Sequence, residues 1–131
     1  MLVIAFGIND IDKNESSYIT HMETMIDAYL AANPSGSVLL VSPMRPNTQS
    51  SMISGNGLQC ENALLTIRNK AKYSSKNVAV AKVTTMFTEL MTVSGKLARD
   101  YLGNNVNHPN DFGVRLYAQV ILKSLCGDDF G

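Results

Sequence analysis

An α/β fold, with a parallel sheet layered between helices, is predicted by three features of this sequence. Short apolar runs alternate with longer amphipathic segments, giving the order β-α-β-α-β-α-α. The runs LVIAF (2–6) and SVLLVSP (37–43) are almost continuously apolar, the mark of strands covered on both faces. Strands separated by helices need right-handed crossovers, which lay the helices on both faces of the sheet. The expected architecture is a three-layer α/β/α arrangement, and 131 residues suffice for one domain with one core, spanning 1–131.

The elements follow in order. The first strand is closed by Gly7, with Ile8, Asn9 and Asp10 as its exit. Beyond the polar segment that follows, Ile19, Met22, Ile26, Tyr29 and Leu30 recur on one helical face. Asn33-Pro34 stops that helix and Ser35-Gly36 turns the chain. The second strand ends at Pro43, and residues 44–57 form a long loop rich in Ser, Asn and Gly. A loop of that length inside a compact domain is usually functional or mobile. Cys60, Leu64, Ile67 and Ala71 share a face of a second helix over about 59–74. NVAVAKV (77–83) alternates as a third strand, TTMFTELM is a short helix, and SGKLARDYLGNNVNHPN is a second long loop. The last helix, DFGVRLYAQVILKSL, carries Phe112, Leu116, Val120 and Leu125 as a stripe, with Asn110 or Asp111 as N-cap.

Three strands make a small sheet. If residues 2–6 are outermost, their backbone is an unpaired apolar edge, which proteins normally cover. The chain therefore reads as an incomplete part of a larger sheet. A partner is expected along 2–6, either a second copy in a homo-oligomer or a complementing N-terminal half.

Composition narrows the function. Eleven Lys and Arg balance eleven Asp and Glu, so the electrostatic footprint of a nucleic-acid or anionic-membrane binder is missing. Cys60 and Cys126 are far apart, without a CxxC or a histidine at metal-ligand spacing, and read as free thiols. No metal site is expected and no cofactor is implied, since no Gly-rich loop opens a helix. No apolar run approaches the roughly 20 residues of a membrane span, and MLVIAF lacks a signal peptide's basic flank. A cytoplasmic location is the expectation if the chain is complete.

Ligands of open parallel sheets bind outside the carboxyl ends of the strands. Two polar clusters fall there: Gly7-Ile8-Asn9-Asp10 after the first strand, and Asn104 to Asp111 before the last helix. His108 stands in the second, where an imidazole titrating near neutrality can serve as a general base. The other histidine, His21, lies inside the first helix and reads as a surface or half-buried residue.

The block GIND resembles the Gly-X-Asn-Asp block of SGNH (GDSL-type) esterases and lipases. NHPNDFGVRLYAQVI resembles the last block of that family, where His-Pro precedes a helix with a Leu/Tyr-Ala pattern. The resemblance spans essentially the whole chain and implies the flavodoxin-like topology of SGNH hydrolases. It implies that Asn9 donates into an oxyanion hole and that His108 is the general base of a serine nucleophile. Gly7 and Asp10 would shape the Asn9 turn. The family's triad acid, three residues before the histidine, is here Asn105, an amide that cannot stabilise an imidazolium by charge. The Gly-Asp-Ser nucleophile block and the second oxyanion glycine have no counterpart. Ser42, Ser50, Ser51, Ser54 and Ser94 all lie outside a strand–Gly-Asp-Ser–helix context. The implied activity is hydrolysis of a small ester, an acetylated sugar being one such substrate, with the serine supplied from outside the chain. The alternative is an inactive hydrolase remnant acting as a binding or structural subunit.

Overall fold

The computed structural model describes residues 1–9, 14–49 and 57–127. Three strands, β1 (Leu2–Ile4), β2 (Ser37–Val41) and β3 (Asn77–Ala81), pair in the order β1-β2-β3. Both pairings are parallel, with Leu2 beside Val38 and Val38 beside Val78. The helices are α1 (Glu15–Ala32), α2 (Gly57–Arg68), α3 (Val83–Ser94) and α4 (Asp111–Cys126). Short 3-10 turns stand at Ala71–Tyr73 and Ala98–Tyr101.

Local chemistry sets the helix ends. The Asn14 side chain accepts from Ser17 N at 3.0 Å to start α1, and Asn110 accepts from Gly113 N at 2.9 Å to start α4. Asn110 is thus the cap, and Asp111 is the first helical residue, where its charge suits the helix dipole. Gly95, in the left-handed conformation at φ 67°, ends α3.

Alternation along the central strand divides the core into two clusters. Val38 and Leu40 join Ile4 and Val78 against Met22, Ile26, Leu64 and Ile67, which belong to α1 and α2. Leu39 and Val41 join Ala81 against Phe87, Tyr101, Leu102 and Val120, on the side of α3 and α4. The domain therefore has helices on both faces of a parallel sheet, as expected. Among the described residues no helix is long and apolar enough to cross a membrane.

Four expectations need correction. Strand β1 stops at Ile4 and is not buried on both faces: Val3 is 46% and Phe6 62% exposed. For Val3, which pairs with Leu39 on the α3–α4 side, the cause is non-local: α4 packs against β3 and leaves the outer strand uncovered there. For the same reason Phe112 and Leu125 stand exposed, and the buried stripe of α4 runs through Gly113 and Val120. The second helix ends at Arg68 rather than near 74; the buried ring of Tyr73 is drawn into a 3-10 turn, its hydroxyl donating to Asp27 Oδ1 at 2.7 Å. The third strand ends at Ala81, and α3 begins two residues later.

Candidate active site

The exit of β1 is held from the core side. The Tyr18 hydroxyl, on α1, donates to the carbonyl of Phe6 at 2.9 Å. The Cys60 thiol of α2 approaches the same oxygen at 3.7 Å and the Tyr18 hydroxyl at 3.3 Å. Gly7 follows with φ +132°, and a Cβ there would lie 2.5 Å from Cys60 Sγ and 2.8 Å from the Tyr18 hydroxyl. Only glycine satisfies both the backbone and the space. The chain then turns through Ile8 and presents Asn9 exposed. Asp10, the remaining member of the cluster, lies outside the described residues, as do Ser50, Ser51 and Ser54.

His108 reaches the same end of the sheet by another path. The far end of α4, at Ser124 and Leu125, shares a cleft with Met1, Ser37 and Asn77, near the starts of all three strands. The start of α4, and His108 just before it, are therefore at the strands' carboxyl ends. The loop leading in is closed by a Leu102–Pro109 bridge, by Asn110 N donating to Tyr101 O, and by Gly103 N donating to His108 O, both at 2.9 Å. Inside it, Asn104 Oδ1 accepts from the backbone N–H of Val106, Asn107 and His108, each at 2.9 Å. His108 is thus fixed through both its N–H and its carbonyl while its side chain is exposed.

Asn105 takes a left-handed conformation at φ 56°, one that asparagine tolerates better than most residues. Its carbonyl and its side-chain oxygen both accept from Asn47 Nδ2, at 3.0 and 3.2 Å. Asn47 N donates in turn to Val106 O at 2.9 Å. Among the described residues no hydrogen bond joins Asn105 to the His108 ring, or Asn9 to either. The structure brings Asn9 and His108 to one end of the sheet, both exposed, and turns Asn105 toward the loop after β2.

A buried polar knot underlies this end. Glu61, 1% exposed, accepts from Ser42 Oγ at 2.7 Å, from Thr85 N at 3.2 Å, and from the Thr85 hydroxyl. Ser42 Oγ accepts from Thr84 N at 3.1 Å, and the Thr84 hydroxyl faces the carbonyls of Pro43 and Gly57. The carboxylate therefore serves the first turn of α3, while Thr84 ties the two ends of the 44–57 loop together. This also settles two serines. Ser42 is wholly buried in that knot, and Ser94 is bonded to the Tyr101 hydroxyl at 2.8 Å.

Comparison with protein-family models, curated proteins and solved structures finds no match to this chain. The functional reading therefore rests on the chain's own residues. Sequence reasoning missed Glu61, Asn47 and the Tyr18–Cys60 pair. Glu61 follows Cys60 directly on a helix whose buried face it shares, and that placement was the available signal. Asn47 had none beyond its residue type. Both cysteines are free, Cys60 buried and Cys126 exposed. Among the described residues no group of His, Cys, Asp or Glu is arranged to hold a metal ion.

Proposed function

We propose that this chain forms part of an SGNH-type ester hydrolase, contributing His108 as general base and Asn9 as oxyanion donor to a serine borne on another segment. The observation that carries the reading is that Asn9 and His108 are both exposed at the carboxyl end of a parallel sheet, where ligands of such sheets bind. In this reaction the serine oxygen attacks the ester carbonyl while His108 takes its proton. The Asn9 amide donates to the oxygen that becomes negative. The tetrahedral species then expels the alcohol, which receives the proton from His108, and water repeats the sequence on the acyl-serine. Small esters, acetylated sugars among them, are the proposed substrates.

The edge of β1 is the proposed seat of the serine-bearing segment. Val3 and Phe6 are exposed beside it, and a shallow cleft of about 320 Å³ lined by Phe6, Tyr18, Met22 and Met25 flanks it. A strand of a complementing half pairing there would lie next to Asn9, whereas a second copy, which has no Gly-Asp-Ser block, would only cover the edge. Asn105 in the place of a triad acid, together with the missing nucleophile block, favours a second reading, in which the fold is kept as a binding subunit without catalysis.

The test is co-expression with the polypeptide encoded directly upstream, followed by assay on p-nitrophenyl acetate. The chain alone should be inactive. The pair should hydrolyse the ester, lose activity with His108→Ala, and lose roughly 10²–10³-fold in rate with Asn9→Ala. Hydrolysis indifferent to both substitutions, or an inactive pair, would exclude the catalytic reading.

A further inference from the structure

We propose that Asn47 is the positioning residue of the His108 loop, acting through Asn105. Asn47 is 8% exposed, although it lies in a loop of polar character. All of its hydrogen-bonding groups except the carbonyl are engaged by specific partners. Its amide nitrogen is shared between the carbonyl and the side-chain oxygen of Asn105. Its backbone N–H holds Val106 O, and its side-chain oxygen accepts from Gln49 N at 3.1 Å, which fixes the amide's orientation. A buried amide satisfied in this way is specific, because leaving either side unpaired carries the full cost of desolvation.

What it holds is the strained point of the loop. Asn105 is the one non-glycine residue at positive φ among the described residues, and it sits between Asn104, which organises the loop's amides, and His108. A left-handed residue needs its surroundings to keep it there. The Asn47 amide supplies that constraint from the segment after β2, tying the loop that carries the histidine to Asn47. Asn105 takes no part in orienting the imidazole directly. The chain's substitute for a triad acid is this clamp on the backbone beneath His108. That functional meaning rests on the hydrolase reading, whereas the clamp itself does not.

The experiment is NMR on the full chain carrying Asn47→Asp or Asn47→Ala, followed at the ring signals of His108 and at the amides of Val106 to His108. Aspartate keeps the size, the acceptor for Gln49 and the backbone bond, and replaces the donated bonds to Asn105 with a carboxylate oxygen that faces two acceptors. Both variants should shift the His108 ring signals and speed amide exchange in this segment about five- to tenfold. The ring of His21, on α1, should stay where it is. A His108 signal unchanged in Asn47→Asp, or a His21 shift as large as that of His108, would overturn the proposal. Should Asn47→Ala fail to fold, Asn47→Asp decides alone. Neither readout requires ester hydrolysis, so loss of the hydrolase reading leaves this result interpretable, and the esterase assay in turn does not depend on it.

Discussion

Asn9 leaves the sheet on a turn gripped by the core, whereas His108 stands on a loop held by asparagine amides near the surface. The grip on the first comes from Tyr18 and Cys60, both buried and both aimed at the carbonyl of Phe6, with Gly7 fitted against them. The second is organised by Asn104, an exposed residue, and by Asn47 from the neighbouring loop. The difference bears on how each half of the proposed site can fail. A defect at the Asn9 turn is paid in global stability, because the same atoms pack α1 against α2. A defect at Asn104 stays local, since water can replace an exposed acceptor and little apolar surface is lost.

The largest effect that separates the two regions is expected at Gly7. Gly7→Ala places a methyl 2.5 Å from Cys60 Sγ and forces an L-residue to φ +132°. Overpacking and backbone strain together should destabilise the fold by roughly 3 kcal/mol. Urea denaturation of the purified variant measures this directly. A loss below about 1 kcal/mol would mean that α1 and α2 yield easily, and the contrast between a core-held and a surface-held arm would collapse.

Much of this arrangement is legible in the sequence, and the parts that are not share a cause. Periodicity located three strands and four helices because the pattern of side chains along each element is local information. The break at Gly7 was legible because a glycine closing an apolar run carries meaning by position alone, whereas the roles proposed for Asn9 and His108 come from the family resemblance. The exposure of Val3 was not legible, since it depends on where α4 packs, at the other end of the chain. Asn47 was equally hidden, because the loop around it has no periodicity and its partner Asn105 is 58 residues away. Glu61 shows the same limit from the other side. A glutamate in a helix reads as solvated, and the donors that let it be buried come from Ser42, 19 residues back, and from the first turn of α3, 24 residues on.

The next effect in size is expected at Asn104. Asn104→Ala removes the acceptor of three backbone N–H groups. All of them can turn to solvent, so global stability should fall by less than about 1 kcal/mol. Protection of the His108 amide in hydrogen exchange should nevertheless be lost, with β2 and β3 exchanging as before. A global loss comparable with that of Gly7→Ala would show that the loop belongs to the core's cooperative unit after all.

The smallest expected effect comes from pH, and it tests the contrast without a mutation. Glu23 and Asp27 of α1 meet Lys70 and Lys72 across the surface, at 2.9 Å for Lys70–Glu23 and 2.8 Å for Lys72–Asp27. Burial works to raise the Glu23 pKa, yet the hydrogen bonds and charges of Lys70 and Lys72 outweigh it and leave it below its ordinary 4.5. Asp27 is lowered from 3.8, first by the hydrogen bond from Lys72, with Tyr73 assisting against burial. A depressed folded-state pKa contributes stability that is complete above the unfolded value and disappears as pH falls through the folded one. Stability should therefore erode as the solution is acidified below about pH 4.5. At the other limit Tyr73, pushed up from 10 to about 12 by burial and then by its bond to Asp27, favours folding below pH 10 and loses that contribution between 10 and 12. Because Lys72 and Asp27 are half exposed, each pair should be worth well under about 1 kcal/mol. Thermal melts across pH 3 to 6 read the acid limb. The amide oxygens of Asn104 and Asn105 do not titrate, so exchange in the His108 loop, corrected for its intrinsic pH dependence, should hold constant while the melting temperature falls. Loss of protection there in step with the acid limb would join the loop to the ion pairs on α1 and remove the distinction between the two arms of the site.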